Sequence, residues 1–245
     1  MALPPLTLLW VVPALPLAGF VVNGALALGA PGAKRAVSLV GVGVLVLAFA
    51  AAALAVFELA QFHAAAPLVV RYWDWLPVGE LQVAVALQLD QLSAVMILVV
   101  TGVGALIHLF SVGYMHDDPG YARYFAYLNL FVFFMLTLVL GASFPVMFVG
   151  WEGVGLCSYL LIGFWFTEKI NADAGKKAFI VNRIGDFGFL VAMMLIFWHT
   201  GSLDFATVFP KAATAFAAGG PVVTAITLFL FLGCTGKSAQ IPLYI

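Results

Sequence analysis

Between Tyr124 and Trp151 the chain runs without one charged side chain, and the stretch from Met1 to Ala33 is likewise uncharged. Runs of this kind constrain the fold more than any motif. Hydrocarbon offers no partners for backbone N–H and C=O groups, so a spanning segment must satisfy them internally, as a helix or a closed barrel does. A helical crossing takes about 20 apolar residues for a core about 30 Å thick. Composition agrees: 64% of the residues are hydrophobic and 9% charged, where roughly a quarter would be charged in a soluble domain. Mean hydropathy is +1.13. The expected fold is all-α, a polytopic transmembrane helix bundle. The uncharged N-terminal stretch lacks the basic n-region of a cleaved signal peptide and exceeds the length of an h-region, so it reads as a retained first span.

Seven helices are expected across residues 1–245, taken as one transmembrane domain. They cover Leu6 to Leu28, Ala36 to Phe57, Gln91 to Gly113, Tyr124 to Leu140, Pro145 to Phe166, Ala178 to Trp198, and a seventh from Pro221 onward. Gly141 to Pro145 supplies the turn that divides the long uncharged run, with Pro145 acceptable in a first helical turn. The seventh helix is expected to be broken around Gly233 to Pro242, where glycines and a proline interrupt it. Residues 67–89 read as a hairpin loop: Val69 to Leu76 and Leu81 to Leu89 are strand-like on either side of Pro77 to Glu80. After the sixth span, Ser202 is expected to cap a short amphipathic segment interrupted by Pro210 and lying along the surface.

Orientation follows from basic residues in the short loops. With the N-terminus outside, the inner loops hold Lys34, Arg35, Arg123, Lys169, Lys176 and Lys177, and the outer loops only Arg71 and Lys211. Excess Lys and Arg marks the cytoplasmic side, so the hairpin is assigned to the outer face. The ten Lys+Arg and eleven Asp+Glu form no basic patch, and no nucleic-acid partner is expected. Cys157 and Cys234 each lie in an apolar run and read as small buried hydrophobes, with no disulfide or metal framework.

Four ionisable residues sit inside otherwise apolar stretches: Glu152, Arg183, Asp186 and Lys237. A charge at the middle of a membrane helix costs at least about 2.5 to 3.5 kcal/mol, so such groups usually face a bundle interior and move or hold ions. Glu152 lies seven residues past Pro145, about 10 Å along a helix. Its bland reading is a protonated acid that only fixes packing. Arg183 and Asp186 are three apart on one helix face and can pair directly, which gives a structural bridge equal standing with a transport role. Lys237 falls where the seventh helix breaks, a recurrent design of transporter sites. His108, alone on an apolar face, reads as a satisfied structural histidine with a proton relay as its alternative. His63, His116 and His199 fall near helix ends or loops, and no His/Cys/Asp spacing suggests zinc. Gly236-Lys237-Ser238 resembles the end of a phosphate loop only superficially, because Phe231 occupies the position that needs glycine.

The segments Phe148 to Trp165, Asn182 to Phe189 and Thr235 to Leu243 resemble the signatures of the L subunit (chain 5 type) of proton-pumping NADH:quinone oxidoreductase, respiratory complex I. Trp73-Asp74-Trp75, Leu89 to Ser93 and Ser111 to Met115 add to the likeness. The resemblance implies an antiporter-like membrane-arm subunit that translocates protons, driven by electron transfer from NADH to quinone in other subunits. It implies a central pair at Glu152 and Lys237, with Arg183 and Asp186 on the adjoining polar path. It places no cofactor in this chain, with NADH, FMN, iron-sulfur clusters and quinone held by partner subunits. The implied partners are the lipid bilayer and other membrane-arm subunits, especially a neighbouring antiporter-like one. The implied location is the plasma membrane of a bacterium, or alternatively the mitochondrial inner membrane. Family chains carry two inverted five-helix repeats, so a sequence reaching Ile245 is expected to hold only the first and not to pump alone. Two other functions stay open: a large subunit of a sodium/proton antiporter or membrane-bound hydrogenase, and a passive assembly or anchor subunit.

Overall fold

The computed structural model describes residues 8–62 and 67–244. Leu6, at the start of the expected first span, and His63 lie outside the described residues. The elements in order are α1 (Val11–Gly29), α2 (Lys34–Phe62), β1 (Leu68–Val78), β2 (Leu81–Leu89), α3 (Gln91–Tyr114), α4 (Tyr121–Leu140), α5 (Phe144–Ile162), α6 (Lys169–Thr200), α7 (Phe205–Ala215) and α8 (Pro221–Lys237). Six of them, α1 to α6, are long and apolar enough to cross a membrane. The seventh expected span is a shorter apolar helix of 17 residues, α8, which stops at Lys237. The helix ends at Lys237, inside the expected Gly233 to Pro242 run, with Gly233 and Gly236 still helical, and Ala239 just beyond has φ of 49°.

Local chemistry sets the ends of these elements. Asp90 caps α3: its side chain accepts from Ser93 N at 2.8 Å, and Ser93 Oγ accepts from Asp90 N at 2.8 Å, a reciprocal capping box. The divide between α4 and α5 sits at the expected turn. Ser143 is the N-cap of α5 and Pro145 lies in its first turn, where a missing N–H leaves nothing unsatisfied. Helix α6 starts nine residues before the expected Ala178, because the polar segment from Lys169 is also helical, with Lys169 and Asp173 paired at 2.5 Å across one turn. In the hairpin, Gly79 takes φ of 56°, the positive value a two-residue primed turn requires at its first central position.

Three expectations are corrected after α6. The N-cap of α7 is Asp204, not Ser202, and Ser202 Oγ instead accepts from Asp204 N at 3.2 Å. Helix α7 also runs on through Pro210 without interruption. Cys157 is buried as expected, but Cys234 is exposed, since it is Gly233 and Gly236, not Cys234, that meet the backbone of α6.

The chain groups into two compact units. The first holds α1 to α4, the residues 87–89 that end β2, and residues 149–157 of α5. Within it α1 packs most extensively on α4, and α2 on α3 and α1. Its core includes Leu45, Ile97, Phe125, Leu136 and Leu140, each fully buried. The second unit holds residues 71–86, 142–148 and 158–245. Its core is Phe144, Phe189, Ala192, Met193, Ile196, Leu203, Val208 and Ile226, drawn from the start of α5, from α6 and the loop after it, and from α7 and α8.

Candidate functional site

Glu152 stands near the middle of α5, eight residues from its first residue, which is about 12 Å along the axis. It is half-buried, and its Oε1 atom is shielded from solvent. The glycines on either side fix how deep it sits. A Cβ at Gly150 would lie 2.3 Å from the backbone nitrogen of Leu138, and one at Gly153 would lie 2.1 Å from the Phe134 ring. Only a residue without a side chain lets α5 approach α4 this closely, the small-residue packing that membrane helices use in place of a hydrophobic drive.

The other three site residues belong to the second unit. Asp186 on α6 is 2% exposed, while Arg183 on the same helix is exposed, with its guanidinium carbon 5.1 Å from the Phe179 ring centroid. That distance suits a cation–π contact. Lys237 is half-buried in the last turn of α8, where the negative end of the helix dipole favours a cation. Helices α6 and α8 meet backbone to backbone. A Cβ at Gly185 would stand 3.1 Å from Gly233 O, one at Gly188 2.8 Å from Phe229 O, and one at Gly236 3.3 Å from Val181 O. The structure thus brings the α6 turn carrying Asn182 and Asp186 against the α8 turn that ends in Lys237. Glu152 belongs to the first unit.

These glycines carry as much of the geometry as the charges; sequence reading took those of α8 as helix breakers and passed over the others. Their signal was present in the spacing, with small residues three apart at Gly150/Gly153, Gly185/Gly188 and Gly233/Gly236. Also passed over were Asn23 and Asn129, polar residues in α1 and α4 that are both fully buried. His108 is hydrogen-bonded to Gly104 O at 2.8 Å, which agrees with its reading as a satisfied histidine.

Outside the spans, burial lifts the carboxyl of Asp204 above its ordinary value, with Arg71 opposing the shift. The exposed Asp117 is held below the carboxylate range by its hydrogen bond and attraction to His116.

Two family descriptions match the sequence and between them cover more than half of it. "NADH-Ubiquinone oxidoreductase (complex I), chain 5 N-terminus" matches residues 75–125. "NADH:quinone oxidoreductase/Mrp antiporter, TM" matches residues 141–245, which include all four site residues. Among curated relatives, NADH-quinone oxidoreductase subunit L of Mycobacterium tuberculosis is 52% identical over 171 residues, 70% of this chain and 26% of the relative. NADH-ubiquinone oxidoreductase chain 5 of Metridium senile is 48% identical over 175 residues, 71% of this chain and 29% of the relative. The chain therefore spans under a third of the length of either. The solved Mrp complex from Dietzia sp. DQ12-45-1b superposes with a TM-score of 0.78 at 23% identity, over 96% of this chain and 24% of that one, a likeness of fold. By these matches the chain belongs to the antiporter-like membrane subunits of NADH:quinone oxidoreductase, on the subunit L (chain 5) branch.

Proposed function

We propose that this chain forms the first proton-transfer half of a membrane-arm subunit of NADH:quinone oxidoreductase. Electrons pass from NADH through FMN and iron-sulfur clusters to quinone in partner subunits, and residues 1–245 act as one transmembrane domain that answers by moving protons. The observation that carries this reading is the set of ionisable groups, Glu152, Asp186 and Lys237, in otherwise apolar helices held by glycine contacts. Such groups in hydrocarbon default to ion pathways. Glu152 and Lys237 act as a coupled acid and amine. In a low-dielectric interior, changing their separation changes how tightly each holds its proton, and the pair titrates as a unit. Lysine suits the exchange because it can lose its proton, whereas arginine stays charged. Arg183 and Asp186 continue the polar path on α6 and set the field around Lys237. The neighbouring partner is another antiporter-like subunit of the membrane arm, and the location is a bacterial plasma membrane.

The test uses the full-length subunit within its complex, with proton uptake into vesicles normalised to assembled complex. Glu152→Gln and Lys237→Met should each abolish most of the uptake, while NADH oxidation with an artificial acceptor persists. Lys237→Arg should fail nearly as badly. Near-normal uptake in Lys237→Arg would show that a fixed positive charge suffices and would remove Lys237 from the relay. Normal uptake in all three would leave the anchor role.

A further inference from the structure

Inside the first unit, four helices meet at one buried polar array. His108 of α3 is 1% exposed, and Asn23 of α1 and Asn129 of α4 are both 0% exposed. Its hydrogen bonds have a single consistent direction. The His108 Nδ1 atom faces Gly104 O at 2.8 Å, and a carbonyl can only accept, so Nδ1 carries the proton. The ring is then neutral with an acceptor at Nε2, where Asn129 Nδ2 donates at 3.2 Å. The same Asn129 Nδ2 donates to Gly41 O of α2 at 3.2 Å, which occupies both of its hydrogens. Asn129 Oδ1 accepts from Asn23 Nδ2 at 3.1 Å. A second proton on His108 would set donor against donor at Nε2. Turning the Asn129 amide to relieve that would set its oxygen against Gly41 O, and Asn23 would have to turn with it to keep its bond. The array therefore favours one protonation state and one register of α1, α2, α3 and α4.

That register is passed on to α5. Asn129 pins α4, and nine residues further along α4, about 13 Å, Leu138 receives Gly150, while Phe134 receives Gly153. Glu152 lies between those two glycines. No slack separates the helices at these contacts, so a rotation or slide of α4 must move the Glu152 carboxylate with it.

We propose that His108, Asn129 and Asn23 are positioning residues that set the depth and rotation of Glu152 through α4, with His108 acting as a neutral, Nδ1-protonated hub and not as a proton carrier. This rests on the reading of Glu152 as the proton site. Side-chain hydrogen-bond networks in low dielectric can be worth more than the sum of their pairs, and a supporting shell must hold a working group to within a fraction of an ångström.

The experiment again uses the full-length subunit in its complex. It compares His108→Leu, His108→Gln and the milder Asn23→Ser, which removes only the Asn23–Asn129 bond. Two quantities are read per assembled complex: proton uptake across a range of pH, and the labelling rate of a cysteine at position 152 in a background free of other reactive thiols. A misplacement of about 1 Å can lower a rate by about a hundredfold, so His108→Leu should reduce uptake by ten- to a hundredfold, displace its pH profile and change the labelling rate. His108→Gln, which can still accept from Asn129, should keep wild-type uptake and labelling. Asn23→Ser should shift both readouts in the direction of His108→Leu, and it carries the test if the leucine variant does not assemble. Loss of uptake in His108→Gln with unchanged labelling would make His108 a proton carrier and overturn the proposal. Unchanged labelling and pH profile in both His108→Leu and Asn23→Ser would also overturn it, leaving the array a packing feature. Normal uptake in Glu152→Gln would defeat the Glu152 reading instead, and the labelling arm would still judge the positioning.

Discussion

Asp90 shows how one side chain at the edge of a span is tied to pH. Burial acts to raise its pKa, but hydrogen bonds from Ser93 backbone and side chain, from Gln88 and from the Leu92 backbone outweigh it and bring the carboxyl below its ordinary value of 3.8. A folded-state pKa below the unfolded one contributes stability that is present above the unfolded value and is lost as pH falls through the folded one. Removing the cap by Asp90→Ala should lower stability by about 1 kcal/mol. Asp90→Asn should melt below wild type at neutral pH, and the gap between their melting temperatures should close as the pH falls below about 4. A gap that stayed constant on acidification would show that the carboxylate charge adds nothing to the cap. The same contrast between charge and fixed geometry runs through the site: Asp186 is buried where Arg183, three residues earlier, is exposed.

Helix pairs are set by which glycines meet something. In α2, a Cβ added at Gly43 would touch nothing within 4 Å, whereas in α5 one added at Gly150 would strike the backbone of Leu138. Gly43→Ala should therefore be neutral or stabilising by about 0.5 to 1 kcal/mol, since glycine inside a helix weakens it. Gly150→Ala forces backbone apart and should destabilise by about 1 to 3 kcal/mol or more. Resistance of the purified subunit to detergent unfolding would separate the two, and equal effects would mean that the α4–α5 contact is loose. The hydrophobic pattern could not make this distinction. It locates the helices, since a run of about 20 apolar residues has one stable form in hydrocarbon. Which glycine faces a neighbour depends on rotation about the helix axis, and an all-round apolar helix carries no stripe to fix that.

For the whole molecule, the distribution of basic residues predicts how the chain lies in its membrane. A cysteine at Ala172, near the start of α6, should react with an impermeant thiol reagent only from the inner face. One at Gly79, at the turn of the hairpin, should react only from the outer face. Reversed labelling would turn the topology over and assign Lys34, Arg123 and Lys169 to the outside. Exposed aromatic residues at the expected boundaries, Trp73 at 60%, Trp75 at 42% and Trp198 at 84%, fit an interfacial belt in either orientation.

By itself the sequence determined that the chain is a membrane helix bundle, where its helices begin and end to within a turn at most boundaries, and which ionisable residues stand inside them. Those are local properties: hydropathy over a window, a cap at Asp90 or Ser143, a proline at 145 or 221, a charge without water. Its errors were also at edges. The first turns of α6 are polar and so escaped a hydropathy window, and Pro210 does not break α7. Only the tertiary structure decided that α8 is a short helix seated on α6 through glycine backbones. It alone joined Asn23, Asn129 and His108, residues up to 106 apart in sequence, into one array. Their pairing is a matter of helix rotation and register, which depend on all the neighbours at once and leave no periodic trace along a chain that is apolar on every side.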